Sequence, residues 1–119
     1  MAVTKETILG TKPPHEEVDW LDGEKVIVAA MGGTDRDAFE LENVLLGEAS
    51  EHDYGHLANF RARLLVRCIR TDDGARMFAD VDAHALGAVW CEPLDRAFDV
   101  AKRLNGYSQK DIEALEKNS

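Results

Sequence analysis

Apolar residues recur at helical spacing through the second half of the chain, and they predict most of its elements. Leu57, Phe60, Leu64 and Cys68 fall three to four apart beside Ala58, Leu65 and Ile69, an arc broad enough for a central core helix. Arg63, Arg67 and Arg70 share the opposite side of that helix. Leu94, Ala97, Phe98, Ala101 and Leu104 repeat the spacing, with Pro93 suited to a first helical turn and Gly106 to a C-terminal stop. Between them, Thr71-Asp72-Asp73-Gly74 reads as a turn, and Arg76-Met77-Phe78 as a strand fragment or a hook into the core. Asp80 then caps a short helix carrying Val81, Ala85, Leu86, Val89 and Trp90, in which Gly87 costs about 1 kcal/mol relative to alanine.

The N-terminal part has a different period. Val18 and Trp20 alternate with Glu17 and Asp19, Leu21-Asp22-Gly23-Glu24 is a turn, and Lys25 to Ala29 is rich in β-branched residues. A β-hairpin over 16–31 is expected. Ahead of it, residues 1–15 form a polar, proline-interrupted lead, flexible or extended, in which Ile8 and Leu9 are the anchor. Behind it, Gly32-Gly33 breaks the strand, and Thr34 with Asp37 opens a helix from Asp35 to about Leu46. Ala38, Leu41, Val44 and Leu45 are its buried stripe and Gly47 its stop. An exposed acidic loop follows over 48–55. At the end, Ser108 and Asp111 form a capping box and Tyr107 and Ile112 a hydrophobic staple, opening a last helix anchored by Ile112 and Leu115. The fold class expected is a mainly α, small helical domain with an N-terminal β-hairpin. Its organisation is a single domain over 1–119, with the helical core and tail over 34–119.

Composition narrows the functional classes. The 119 residues are 45% hydrophobic and 31% charged, with a net charge of −9. No segment approaches the apolar run of about 20 residues that a membrane helix needs, and the N-terminus lacks a signal-peptide pattern, so a cytoplasmic location is expected. The negative charge argues against nucleic acid as a partner. Cys68 and Cys91 sit in apolar patterns and are expected to be buried free thiols.

Candidate chemistry is sparse. His52 and His56, four apart with Asp53 nearby, have a metal-ligand spacing, and a metal-dependent hydrolase built on them is one alternative. Tyr54 and Gly55 interrupt any helix there, which favours solvated histidines. Asp72, Asp73, Asp80 and Asp82 lack the alternation of a calcium loop and suit turns and caps. Neither Ser50, Ser108, Cys68, Cys91 nor His84 is placed as a nucleophile or base, and Gly32-Gly33 lacks the ending of a phosphate loop. No catalytic, cofactor or metal residue is assigned. What remains is a surface for a protein partner. Arg63, Arg67 and Arg70 either pair with the chain's own acids or meet an acidic partner helix. Trp20, Val26, Val28 or Trp90 either fill the core or line an apolar groove. Weak self-association through the hairpin edge and the arginine stripe is a further expectation.

The order of these elements, with several local strings, resembles the tail assembly chaperones of long-tailed bacteriophages. The strings are Thr4 to Leu9, the hairpin from Glu16 to Gly23 with Lys25 to Ala29, Gly33 to Glu40, Asn59 to Leu65, Asp72-Asp73-Gly74 with Arg76 and Phe78, and Leu94 to Gly106 closed by a capped helix. The segments Ala83 to Cys91 and Glu48 to His56 depart from it. The resemblance implies a non-enzymatic protein of the infected bacterial host's cytoplasm. Such a protein coats the tape-measure protein, keeps its long apolar helices soluble and helps recruit tail-tube subunits, in some cases through a longer frameshifted form. A small acidic adaptor or regulator of a prophage or host is the other alternative.

Overall fold

The computed structural model describes residues 2–49 and 59–117. The chain is mainly α with an N-terminal β-hairpin, as the periodicity predicts, and the hairpin belongs to a three-stranded antiparallel sheet in the order β1-β2-β3. β1 spans His15–Asp19, β2 Lys25–Ala29 and β3 Ile69–Arg70. Asp22 and Gly23 both take positive φ in the loop 21–23 between Trp20 and Glu24, and the Glu24 amide closes the turn on the Leu21 carbonyl at 2.8 Å. Val18 lies opposite Val26, and Glu16 opposite Val28. That register puts Val18 and Val28 inside and turns the Asp19–Lys25 ion pair to solvent.

The third strand replaces the end of the expected central helix. Helix α3 covers only Phe60–Leu65, preceded by Asn59 in the left-handed region. Arg67 and Cys68 then donate backbone N–H groups back only three residues, to Leu64 and Leu65. Such tightening ends an α-helix. Ile69 pairs with Val28 instead, and Ala29 donates to the Cys68 carbonyl at 2.8 Å. The open edge of β2 outweighs helical periodicity here, because its backbone groups need partners once the sheet is packed. Arg76 closes the helix end: its Nε and Nη2 donate to the Val66 carbonyl at 3.1 and 3.0 Å.

Helix α5, Cys91–Leu104, lies against α3 and both hairpin strands, with Leu94, Ala97, Phe98 and Ala101 buried. Its end is a Schellman motif, in which Gly106 at φ 74° lets Gly106 and Tyr107 donate to the Arg103 and Lys102 carbonyls. Ser108 and Asp111 then cap α6, Gln109–Lys117, reciprocally at 2.9 and 3.0 Å, and Tyr107 and Ile112 are both buried. Asn105 joins this corner to the sheet, accepting from the Met31 amide at 2.8 Å and donating to the Ala101 carbonyl at 2.7 Å. Rings of Tyr107, Phe39, Phe60 and Phe98 follow one another through the core, with centroids 5.6 to 6.4 Å apart.

Three expected elements are corrected. The lead contains a five-residue helix, α1 (Lys5–Leu9), capped by Thr4, and Ile8 and Leu9 are exposed rather than anchored. Helix α2 runs from Gly33 to Ala49, past Gly47, and buries Phe39 and Asn43, leaving Ala38, Leu41 and Leu45 outside. Before α4 (Ala83–Gly87) comes a 3-10 turn at Asp80–Asp82. There Asp82, not Asp80, accepts the free amide, that of Ala79, while Val81 stands exposed. Of the segment Arg76-Met77-Phe78, Arg76 bridges to Arg70 and Phe78 packs on the core. Cys68 is buried, but Cys91 is exposed at the start of α5.

Candidate partner-binding groove

The arginines form an interior network rather than an exposed stripe. Arg63 and Arg67 are 6% and 2% exposed. Arg63 Nη1 donates to Asn43 Oδ1 at 2.8 Å and lies 3.5 Å from Glu42, which also meets Arg67 at 3.3 Å. Arg67 reaches Asp80 at 3.3 Å, and Asp80 in turn holds Arg76 at 2.6 Å. Burial pushes the Arg63 guanidinium below its ordinary value, and Glu42 opposes that shift. The hydrogen bond from Arg76 holds the Asp80 carboxyl below the usual range. Arg70, half-buried in β3, donates to the Arg67 carbonyl at 3.1 Å. This network explains the rotation of α2, since the helix turns Glu42 and Asn43 inward, where the guanidiniums need acceptors.

The apolar candidates separate in the fold. Val28 is fully buried in the core, whereas Trp20 and Val26 are half-buried and line a groove of about 650 Å³. Trp20 follows β1, and Arg96 from α5 donates to its carbonyl and, at 3.2 Å, to that of Asp19. Val26 faces the same side from β2. Opposite them stand Phe78, Met77, and Leu86 and Val89 from α4 and its exit, with Ile69 beneath. Met77 and Val89 are its exposed lips, at 49% and 38%. Glu24, Lys25 and Asp82 mark the rim, and Lys25 is tied across the strands to Asp19. Trp90, 56% exposed, is not among the lining residues.

The size and lining suit one face of an amphipathic helix, with apolar walls and charge at the margin. Trp20 and Val26 were legible in the sequence as groove candidates. Met77, Phe78, Leu86 and Val89 were not, because the groove joins segments more than 50 residues apart in sequence; the hook at Met77-Phe78 was the available signal.

A larger open depression, about 860 Å³, lies at the other end of the sheet among Lys12 to His15, Ala29 to Gly32 and the Thr71 to Gly74 turn. Asp73 there is committed to its own turn, accepting from the Ala75 amide at 3.1 Å and from the Thr71 hydroxyl. These bonds hold its carboxyl below the usual range. Among the described residues no three His, Cys, Asp or Glu stand close enough to hold a metal ion. His52, Asp53 and His56 lie outside the described residues. No helix among the described residues is long and apolar enough to cross a membrane. No family model, curated protein or solved structure matches the chain.

Proposed function

We propose that this protein is a tail assembly chaperone of the kind made by long-tailed bacteriophages, a non-enzymatic binder that holds helices of the tape-measure protein before the tail closes around them. The observation that carries the reading is the groove between the hairpin and α4, where Trp20, Val26, Met77, Phe78, Leu86 and Val89 form one apolar surface with charged margins. A tape-measure helix exposes an apolar stripe until assembly buries it. Laying that stripe on Met77 and Val89 removes water from both, at roughly 1 kcal/mol for each half-exposed side chain newly covered. The hold is therefore weak enough to release. The net charge of −9 keeps a crowded complex in solution through mutual repulsion. Recruitment of tail-tube subunits and action in the infected cell's cytoplasm belong to the same proposal, which the order of motifs along the chain supports.

Co-expression with the cognate tape-measure protein tests it. The tape measure should be soluble with the wild type and aggregate with Val89→Glu or Met77→Glu. Both positions are solvent-exposed, so the variants should keep the native circular dichroism. A tape measure equally soluble with and without this chain refutes the reading.

A further inference from the structure

Charge around the groove is unevenly settled. Lys25 lines it, Arg96 holds the Trp20 carbonyl and Arg76 precedes Met77, and each of these cations already has an acid. Lys25 is paired with Asp19, Arg96 meets Glu92 at 3.3 Å, and Arg76 meets Asp80 at 2.6 Å and Asp35 at 3.3 Å. Two carboxylates of the rim have no cation. Glu24, exposed where the chain enters β2, forms no ion pair among the described residues. Asp82 accepts from the Ala79 amide at 2.8 Å, which is a neutral donor, and it too forms no ion pair among them.

These two acids stand on different walls. Glu24 belongs to the hairpin and Asp82 to the 3-10 turn that leads into α4, so an occupant lying between the walls has one carboxylate on each side. Burial of an apolar stripe rewards every amphipathic helix alike, and the residues bordering the stripe make the difference. A helix with acids there sets like charges against Glu24 and Asp82, while one with neutral borders covers them without a partner. Lysine or arginine supplies the missing cations. Its methylene stem also covers the apolar lips at Met77 and Val89 while the charged end reaches the rim. Because the positions on either side of an apolar stripe border it along its whole length, a single helix brings cations to both walls at once.

We propose that the groove selects an amphipathic helix whose apolar stripe is bordered on both sides by lysine or arginine, with Glu24 and Asp82 each receiving one border. This rests on the groove being the helix-binding site of the proposed function, and it adds the class of helix that the site takes. The net charge of −9 draws such a helix in from outside. At physiological salt that attraction fades beyond about 8 Å, so the choice between helices falls to the two rim carboxylates.

The experiment is fluorescence anisotropy with three labelled synthetic helical peptides that share one leucine stripe and carry lysine, glutamine or glutamate at the bordering positions. Wild type should bind the lysine peptide most tightly and the glutamate peptide least, about tenfold apart at low salt, with the gap narrowing as salt is raised. Glu24→Lys should weaken the lysine peptide about fivefold, tighten the glutamate peptide and leave the glutamine peptide unchanged, which also shows that the groove is intact. Asp82→Asn keeps an oxygen for the Ala79 amide and should give a smaller loss in the same direction. Glu113→Lys, exposed on α6 and outside the groove, changes the net charge by the same amount as Glu24→Lys and should leave the ranking unmoved. Equal affinity for the three peptides, a ranking that Glu24→Lys does not alter, or one that Glu113→Lys alters as much, overturns the proposal. The two readings fail separately. A glutamine peptide bound by wild type and lost with Val89→Glu, with no preference for lysine, keeps the groove and removes the selection by charge. A preference that Glu24→Lys reverses, beside a tape measure equally soluble with and without this chain, keeps the selection and removes the chaperone reading. No binding of any peptide removes both.

Discussion

Glu42 faces two guanidiniums at once, and the cost of removing it is set by what it leaves behind. With alanine there, Arg63 keeps Asn43 and Arg67 keeps Asp80 at 3.3 Å, but the carboxylate that the two buried guanidiniums share is gone. Glu42→Ala should therefore destabilise the fold by about 3 kcal/mol, the range for breaking a buried ion pair from one side, read from urea unfolding. A loss below about 1 kcal/mol, typical of a surface pair, would show that the arginines find solvent. The thiols offer a second test at this scale. Burial pushes Cys68 up to about 11, from an ordinary 9.0, and Asn105 donates to its sulfur at 3.5 Å. Native protein should react with a thiol reagent at Cys91 alone, and Cys68 only on unfolding. Because the folded thiol ionises later than the unfolded one, the Cys68 contribution holds below pH 9 and falls as pH rises toward 11. Cys68→Ala should flatten that decline. The exposure of Cys91 was hidden from the sequence, since Leu94 and Ala97 beside it do point inward and only the phase of α5 places Cys91 outside.

At the scale of elements, glycine 87 shows how a local rule is overruled. Helix propensity alone favours alanine there by about 1 kcal/mol. A Cβ at that position, however, would lie 2.1 Å from Asn59 Oδ1 and 2.8 Å from its Cγ. Asn59 is also held in the left-handed region, φ 54°, at the entry to α3. Gly87→Ala should lower stability by about 1–3 kcal/mol through this overlap, and Gly87→Ala combined with Asn59→Gly should recover part of the loss. Thermal unfolding of the two variants decides; a stabilised single variant would mean that Asn59 swings away freely. The elements with local chemical signatures were the legible ones. The Asp22-Gly23 turn, the Thr71–Gly74 turn, the Gly106 stop and the Ser108–Asp111 box each depend on residues within a few positions of one another. Helix α2 was legible in existence but not in phase, because the choice between Leu41 and Asn43 as the inward residue depends on arginines twenty or more positions away.

For the molecule as a whole, charge governs behaviour in acid. Asp80 through Arg76, Asp19 through Lys25, Asp73 through Thr71 and Asp111 through the Ser108 backbone all have carboxyls held below their ordinary value. A depressed folded value contributes stability above the unfolded pKa and loses it as pH falls through the folded one. Unfolding free energy should therefore drop below about pH 4, and Asp80→Asn should remove part of that dependence. An acid limb unchanged by Asp80→Asn would place the sensitivity elsewhere.

Periodicity, caps and turn residues by themselves determined that this chain is mainly helical, that a β-hairpin precedes the helical core, and where the hairpin turn, the Thr71–Gly74 turn, the end of α5 and the start of α6 fall, because those features are settled by interactions among near neighbours. Tertiary structure decided the rest. Ile69 left its helical pattern to complete a sheet edge, Arg63 and Arg67 turned inward to Glu42 and Asn43, and Trp20 met Met77 and Val89 across a groove. Each outcome turns on satisfying a backbone edge, a buried charge or an apolar surface with residues remote in the chain, and no local pattern records which remote residue will arrive.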